Sequence, residues 1–299
     1  MNRTASPAIA FSVAAVGIGV FSLMDAAMKD LVLALGAYNA VLWRCMLGSV
    51  LTGALFVGTR QSWPEGKVLR LHAWRSIVVS FMAISFFWGL GRLPLAEAIG
   101  LSFIAPVIAL YLAAILLGEK IGREAIIASI AGLGGVAIIL FGKFSGEYNA
   151  EALWGVLAVL FSAIVYAYNL VLARQQAQVA GPIEIAFFQN LLVSAVLMLA
   201  GPWLMIPIAF GNLPMLFAAA ALAITALLLL SWAYARAEAQ ILIPVEYTAF
   251  VWAALFGWMF FAEPVTVWTV AGTALIVAGS LVAARVKPFP ANHIEIASA

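Results

Sequence analysis

LAEAIGLSFIAPVIALYLAAILLG, residues 95–118, is the stretch that decides how this chain folds. Only Glu97 is charged at neutral pH here, and about 24 residues of helix at about 1.5 Å each reach roughly 36 Å, enough to cross a lipid bilayer. A short charged turn follows at Glu119 and Lys120, and a second apolar run extends from residue 125 to 141. The pattern therefore predicts a helical hairpin that spans a membrane.

The composition extends this prediction to the whole chain. Of its 299 residues, 66% are hydrophobic and 9% are charged, whereas a soluble domain carries about a quarter charged residues. Most of the surface must then face lipid, where continuous apolar runs favour helices over barrel strands. The net charge of +2 gives no reason to expect nucleic acid as a partner, and the single cysteine, Cys45, supports neither a disulfide framework nor a cysteine metal site.

The apolar runs predict an all-α integral membrane protein with ten transmembrane helices, five in each half. Their approximate limits are 8–28, 38–58, 74–91, 95–117, 124–142, 152–173, 183–203, 213–232, 238–261 and 266–285.

A shift of 144 positions superposes the two halves without a gap. The matched pairs are Glu119 with Glu263, Arg92 with Arg236, Trp88 with Trp232, Asp25 with Asn169, and Gly135 with Gly279. An odd number of spans in each copy inverts the second copy in the membrane, which is typical of secondary transporters. We therefore divide the chain into a first five-helix repeat at 1–146, an inverted second repeat at 147–287 and a short cytoplasmic tail at 288–299.

The lysine and arginine residues predict that both termini are cytoplasmic. If the N-terminus is inside, eleven basic residues fall on the inner side and three on the outer side. The inner set is Arg3, Arg60, Lys67, Arg70, Arg75, Lys120, Arg123, Arg174, Arg236, Arg285 and Lys287, and the outer set is Lys29, Arg92 and Lys143.

Several motifs resemble the drug/metabolite transporter superfamily, and within it the EamA-type transporters. They are FFWGLGRLPLAEA at 86–98, FIAPV at 103–107, LLGEK at 116–120, GLGGVA at 132–137 and PVEYTAFVWAALFGW at 244–258. The resemblance implies two inverted five-helix halves around a central cavity, with alternating access for small metabolites across the bacterial inner membrane. Bacterial members include amino-acid exporters of the YddG type.

Charged residues within the predicted spans are candidates for the substrate site, because a charge in an apolar span is costly. Asp25 could meet a substrate amine, or it could pair with Lys29 one helical turn on. Arg44 could bind a substrate carboxylate, pair with Asp25 or extend to the interface. Glu97 lies in a first helical turn, where a negative charge is favourable in any case. Glu246 lies deeper and is a candidate substrate or proton site.

Aromatic and amide side chains complete the predicted cavity lining, namely Phe87, Trp88, Tyr166, Asn169, Trp232 and Tyr247. Trp88 and Trp232 could instead anchor the protein at the membrane interface. Pro106 and Pro244 remove backbone hydrogen bonds within spans and are predicted gating hinges, with static kinks as the alternative.

Three further expectations concern packing and polar contacts. Glu119 and Glu263 are predicted to cap the following helices or to pair with nearby bases at the cytoplasmic face. His72 lies outside the predicted spans, so we expect no histidine proton relay. Small residues such as Ala128 and Gly132, or Gly279 and Ala283, favour close helix packing within one chain, with a homodimer as the alternative to a monomer.

These features predict a secondary transporter of small amphipathic metabolites, with export of neutral or aromatic amino acids as the leading hypothesis. The alternatives are a carrier for nucleotides, cofactors or sugar phosphates, and a membrane scaffold that transports nothing. We expect no enzyme activity and neither cofactor nor metal, because no nucleophile–base pair, phosphate loop or metal-ligand cluster is evident. The expected partners are a small-molecule substrate and the lipid bilayer.

Overall fold

A computed structural model describes residues 7–105, 107–108, 111–112, 123–144, 150–234 and 247–284. Within these ranges every regular element is a helix, so the all-α prediction is confirmed for the described part of the chain. The helices are α1 (Pro7–Gly58), α2 (Gly66–Leu90), α3 (Leu95–Ser102), α4 (Arg123–Phe144), α5 (Ala150–Ala177), α6 (Pro182–Met198), α7 (Gly201–Leu204), α8 (Leu213–Tyr234), α9 (Thr248–Phe261) and α10 (Val267–Ala284). A 3₁₀ turn at Phe210–Asn212 precedes α8.

Helix α1 is divided by a bend at Gly36, whose φ of 76° and ψ of 156° are accessible essentially to glycine alone. We call residues 7–35 the first arm and residues 37–58 the second arm. The two arms correspond to the predicted spans 8–28 and 38–58. The first arm is longer than predicted because the apolar residues 31–35 continue the helix beyond Lys29 and Asp30.

Several helices have the length and apolar composition that a membrane span requires. Four segments reach full length, namely Phe11–Gly58, Gly66–Leu90, Ala150–Ala173 and Phe210–Ala233. Four shorter apolar helices are Ile130–Gly142, Pro182–Met198, Thr248–Phe261 and Val267–Gly279. The predicted spans 95–117 and 238–261 lie partly outside the described residues, so the count of ten helices stays a prediction.

Two further helix boundaries differ from the predicted ones. Helix α2 begins at Gly66 rather than at 74, and Lys67 and Arg70 in its added turns are exposed. Helix α6 ends at Met198 rather than at 203, because Pro202 in the following short helix cannot continue the hydrogen-bond ladder.

The segment after α7 is held against the second arm of α1 by side-chain hydrogen bonds. The backbone nitrogen of Ile206 donates to Oδ1 of Asn39 at 2.9 Å. Trp43 Nε1 donates to the carbonyl oxygen of Ile206 at 3.0 Å. These contacts satisfy backbone groups that would otherwise lack partners in an apolar setting.

Three helix pairs dominate the packing: α1 with α8, α4 with α10, and α2 with α5. At the crossing of α4 and α10, a Cβ atom on Gly135 would lie 2.5 Å from Cγ1 of Ile276, and one on Gly272 would lie 2.5 Å from Cγ1 of Ile139. The two helices therefore approach closely through glycines, as small residues allow in membrane proteins. The close contact is made at Gly135 and Gly272.

Candidate functional site

Asp25 is the most deeply buried charged candidate of the first arm. Its side chain is 2% exposed, and among the described residues its carboxylate has neither a hydrogen bond nor an ion pair within 4.0 Å. Ser22, one turn earlier, is also buried, and its hydroxyl likewise lacks a hydrogen-bond partner within the described ranges. Positions 22, 25 and 29 follow helical spacing and share one face of the arm.

Arg44, on the second arm, is the basic group that acts on Asp25. Its charge is within electrostatic reach of the Asp25 carboxylate, although no salt bridge joins the two among the described residues. The Nη2 atom of Arg44 reaches the Sγ atom of Cys45 at 3.5 Å, and the buried Nε atom has no hydrogen-bond partner there. A buried acid and a partly buried base that are held apart are costly to leave unsatisfied. Together they offer complementary positions for a substrate amine and a substrate carboxylate.

Aromatic side chains of α9 border this part of the first arm. Trp252 lies against Gly19, where an added Cβ would be 3.1 Å from Cε2 of the indole ring. The same indole stacks on Phe256 with 5.8 Å between ring centroids. Tyr247, just before α9, meets the ring of Phe103 edge to face at 5.2 Å. Trp252 was not among the predicted lining residues, and its contact with Gly19 places it against the first arm.

The third-span aromatics occupy a different place. Phe87 is buried in the core against Phe86. Trp88 lies beneath the guanidinium of Arg92 at 3.4 Å, and Arg92 also pairs with Glu151 at 2.8 Å. Trp88, Arg92 and Glu151 line an open cavity of about 460 Å³ beside the bend at Gly36. Neither Phe87 nor Asp25 is among the lining residues of this cavity.

Glu97 is 2% exposed in the first turn of α3, where the helix dipole favours a carboxylate. One turn later, Gly100 packs directly against the hydroxyl of Thr273 on α10. Trp232, near the end of α8, packs beside Ala14 and Ile18 of the first arm. These contacts join α3 to α10 and α8 to the first arm, but they leave the roles of Glu97 and Trp232 as predictions.

Asn169 belongs to a separate polar group at the other end of α2. We call it the His72 cluster, and it consists of His72, Arg75, Asn169, Gln176 and Glu184. Arg75 Nε donates to Oδ1 of Asn169 at 2.9 Å, and Arg75 Nη1 contacts Oε1 of Gln176. His72 Nε2 lies 3.0 Å from Oε1 of Glu184, and its Nδ1 contacts Nε2 of Gln176 at 2.5 Å.

The His72 cluster corrects the prediction that His72 lies outside the membrane helices. Its imidazole is fully buried, because α2 begins eight residues earlier than the predicted span. The polar residues His72, Arg75 and Ser76 recur at helical spacing, and this signal could have indicated a buried polar face. Tyr166, on the same helix as Asn169, is 38% exposed and lies near Arg75.

Lys29 does not form the ion pair with Asp25 that the one-turn spacing suggested. Its ammonium group forms an ion pair with Glu263 and donates to the carbonyl oxygen of Leu93 at 2.5 Å. The other carboxylate oxygen of Glu263 accepts a hydrogen bond from the backbone nitrogen of Leu95 at 2.7 Å. We call these four residues the Lys29 clamp.

The clamp is incompatible with the predicted sides of its two charged residues, because Lys29 was predicted to be on the outer side and Glu263 on the cytoplasmic side. The expectation that Glu263 pairs with a nearby base is confirmed, but its partner belongs to the outer set of basic residues, not to the cytoplasmic set. Under the predicted inversion of the second copy, the turn after the ninth span falls on the outer side, where the sequence analysis placed Lys29. The Lys29 clamp and the His72 cluster lie at different ends of α2. Leu93 follows the C-terminal end of α2, and Arg75 lies about 22 Å from that end along the helix axis.

Three predicted residues, Pro106, Pro244 and Glu246, lie outside the described residues, and so does Glu119. Within the described ranges, no three His, Cys, Asp or Glu side chains come close enough to hold a metal ion.

Comparison with known proteins identifies the family. A model of the EamA-like transporter family matches residues 8–141 and, separately, residues 153–285. The chain belongs to the EamA-like transporter family. Family membership and the apolar helices together make it a multi-pass membrane transporter of small molecules.

Relatives of this EamA-like transporter include both exporters and uptake proteins. It is 26% identical to the pseudopaline exporter CntI of Pseudomonas aeruginosa over 270 residues, which cover 89% of this chain and 93% of the relative. It is 27% identical to the S-adenosylmethionine uptake transporter of Rickettsia bellii over 214 residues, or 71% of each chain. An uncharacterised transporter of Helicobacter pylori is 29% identical over 200 residues, which cover 66% of this chain and 67% of the relative.

One solved structure has the same fold. It aligns with a TM-score of 0.61 over 94% of this chain and 99% of its own length, at 18% sequence identity. At this identity the likeness supports the fold alone.

Proposed function

We propose that this EamA-like protein is a secondary transporter of amino acids or closely similar zwitterionic metabolites across the bacterial inner membrane, with export of neutral or aromatic amino acids as the leading direction and cargo. The observation that carries the proposal is a buried acid, Asp25, and a partly buried base, Arg44, that do not satisfy each other. A zwitterion supplies an amine for the acid and a carboxylate for the base. Trp252, which packs against Gly19 of the same arm as Asp25, offers an aromatic surface for the substrate side chain.

A relative lends indirect support to this substrate class. S-adenosylmethionine, the substrate named for the Rickettsia bellii protein, carries an α-amino group and an α-carboxylate. A phosphorylated substrate would favour several basic groups. Arg44 and Arg75 are the described arginines within the predicted spans, and Arg75 already bonds to Asn169 and Gln176, which leaves Arg44.

Alternating access between two inverted halves is the mechanism that we propose for this transport. The main helix contacts are consistent with a two-fold relation, because α2 with α5 and the first arm of α1 with α8 are equivalent pairs under the five-helix repeat. The pair of α4 with α10 and the pair of α1 with α6 each consist of two helices that are equivalent under the repeat, so the repeat maps each pair onto itself. Such a bundle can expose a site between its halves to either side in turn.

Exchange in proteoliposomes tests the proposed substrate class. Vesicles loaded with unlabelled amino acid should take up labelled amino acid faster than empty vesicles, and an excess of the unlabelled compound outside should compete. Nucleotides and sugar phosphates added in parallel should neither exchange nor compete. Exchange of a phosphorylated compound without exchange of any amino acid would contradict the proposal.

A further inference from the structure

The Lys29 clamp connects segments from both halves of the chain at one end of the bundle, which we call the Lys29 end. Lys29 is on the first arm, and Leu93 and Leu95 flank the turn between α2 and α3, all within the first family match. Glu263 follows α9 in the second match. Two side chains therefore hold three segments together across the boundary between the halves.

The end of α9 directs Glu263 into the bundle. Ala262 adopts a left-handed conformation with φ of 53°, and the backbone nitrogen of Glu263 donates to the carbonyl oxygen of Gly257 at 3.1 Å. A Cβ atom on Gly257 would lie 2.9 Å from Oε2 of Glu263. The absence of a side chain at 257 therefore leaves room for the carboxylate to fold back toward Lys29.

The clamp is buried and mutually satisfied. The Lys29 and Glu263 side chains are 5% and 18% exposed. The ammonium lies 5.2 Å from the centre of the Phe261 ring, and each charged group also bonds to backbone of the α2–α3 turn. Such a pair is stable only while its partners stay together, because a separated charge needs water or a new partner.

The clamp lies one helical turn beyond Asp25 on the first arm, toward the Lys29 end. The two residues Asp25 and Lys29 share one helix face, about 6 Å apart along the axis. A solute that travels between Asp25 and the Lys29 end along this face must pass the point where Glu263 and the α2–α3 turn meet Lys29.

We propose that the Lys29–Glu263 pair is the gate of this transporter at the Lys29 end, closed in the present structure. To open, Glu263 leaves Lys29 and the Leu95 amide, and water enters to solvate both charges. The turn between α2 and α3 then separates from the end of α9. This proposal rests on the proposed route past Asp25, but not on the identity of the substrate.

Labelling of a single cysteine below the clamp tests the gate. Ser22→Cys in a Cys45→Ser background places a near-isosteric thiol two turns inside Lys29. A membrane-impermeant maleimide is added to the Lys29 end alone, in vesicles of known orientation. We expect slow labelling with the clamp intact, and a rise of about tenfold or more in Lys29→Met and Glu263→Gln, which lose a charge-assisted bond.

The exposed pair at the same end is the matched control. Arg92 and Glu151 are 29% and 68% exposed, so Arg92→Met should leave the labelling rate at Ser22→Cys unchanged. Elution as a single species and a thermal transition show whether each variant is folded. If Lys29→Met does not fold, Glu263→Gln decides alone, because glutamine can still accept from the Leu95 amide. Unchanged labelling in the folded clamp variants would overturn the gate.

A reversible cross-link distinguishes a gate that must open during transport from a contact that only stabilises the fold. Lys29→Cys with Glu263→Cys, joined through a cleavable disulfide-containing linker, should stop exchange of whichever amino acid the wild type exchanges, and reduction should restore it. Full exchange with the linker in place would overturn the gate and leave the proposed function intact. A wild type that exchanges no amino acid contradicts the proposed function, and the labelling result then decides the gate.

Discussion

Glu263 accepts a hydrogen bond from the backbone nitrogen of Leu95 at 2.7 Å, across 168 positions of sequence. The residue before α3 is Pro94, which provides no side-chain cap. A carboxylate from the second half therefore caps the first turn of α3 and complements its dipole. The same carboxylate neutralises Lys29, so one residue links helix capping, charge neutralisation and the contact between halves.

The glycine contact between α4 and α10 predicts a stability effect at Gly135. Gly135→Ala adds a methyl group 2.5 Å from Cγ1 of Ile276, and we expect a loss of about 1–3 kcal/mol from overpacking. In the same helix, the nearest neighbour of a Cβ at Gly132 is 3.5 Å away, so Gly132→Ala should be neutral or stabilising. Thermal unfolding in detergent measures both, and an equal Tm for the two variants would contradict this packing.

The His72 cluster predicts that Arg75 stabilises the bundle through neutral partners. Arg75→Met leaves Oδ1 of Asn169 and Oε1 of Gln176 without this donor, and a loss of about 1–3 kcal/mol is expected for unsatisfied buried groups. Arg70, more exposed on the same helix, is the control, and Arg70→Met should change stability by less than about 0.5 kcal/mol. Equal unfolding temperatures for the two variants would show that the cluster contributes nothing.

The distribution of basic residues predicts the orientation of the bundle. The Lys29 end should face away from the cytoplasm, and both chain termini should lie inside. Protease added to intact spheroplasts should therefore spare a C-terminal tag and remove it in inverted vesicles. Cleavage of the tag in spheroplasts would reverse the orientation of the Lys29 end as well.

Much of the fold could be predicted from sequence because lipid leaves the backbone few choices. Continuous apolar runs indicated helices, and the helix boundaries at α4, α5 and α8 lie close to the predicted limits. The boundaries failed where polar residues are buried within a helix. His72 was excluded from α2 as a polar residue, although Glu184 and Gln176 satisfy it there.

The site was less predictable, because its contacts join distant parts of the chain. Asp25 and Arg44 stood out as charges within apolar spans, and their electrostatic proximity depends only on the two arms of α1. Helical spacing offered Asp25 as one possible partner for Lys29, whereas the observed partner, Glu263, is 234 positions away. That contact depends on the left-handed turn at Ala262, which an apolar pattern does not reveal.

Amino-acid exchange by Asp25→Asn tests the central claim most directly, with Asp30→Asn as the control. Both substitutions remove one carboxylate charge from the first arm, but Asp25 is buried and Asp30 is exposed. If Asp25 holds the substrate amine, Asp25→Asn should lower the exchange rate in proteoliposomes by about tenfold or more, while Asp30→Asn should exchange like the wild type. Wild-type exchange by folded Asp25→Asn would contradict the assignment of this carboxylate to the substrate.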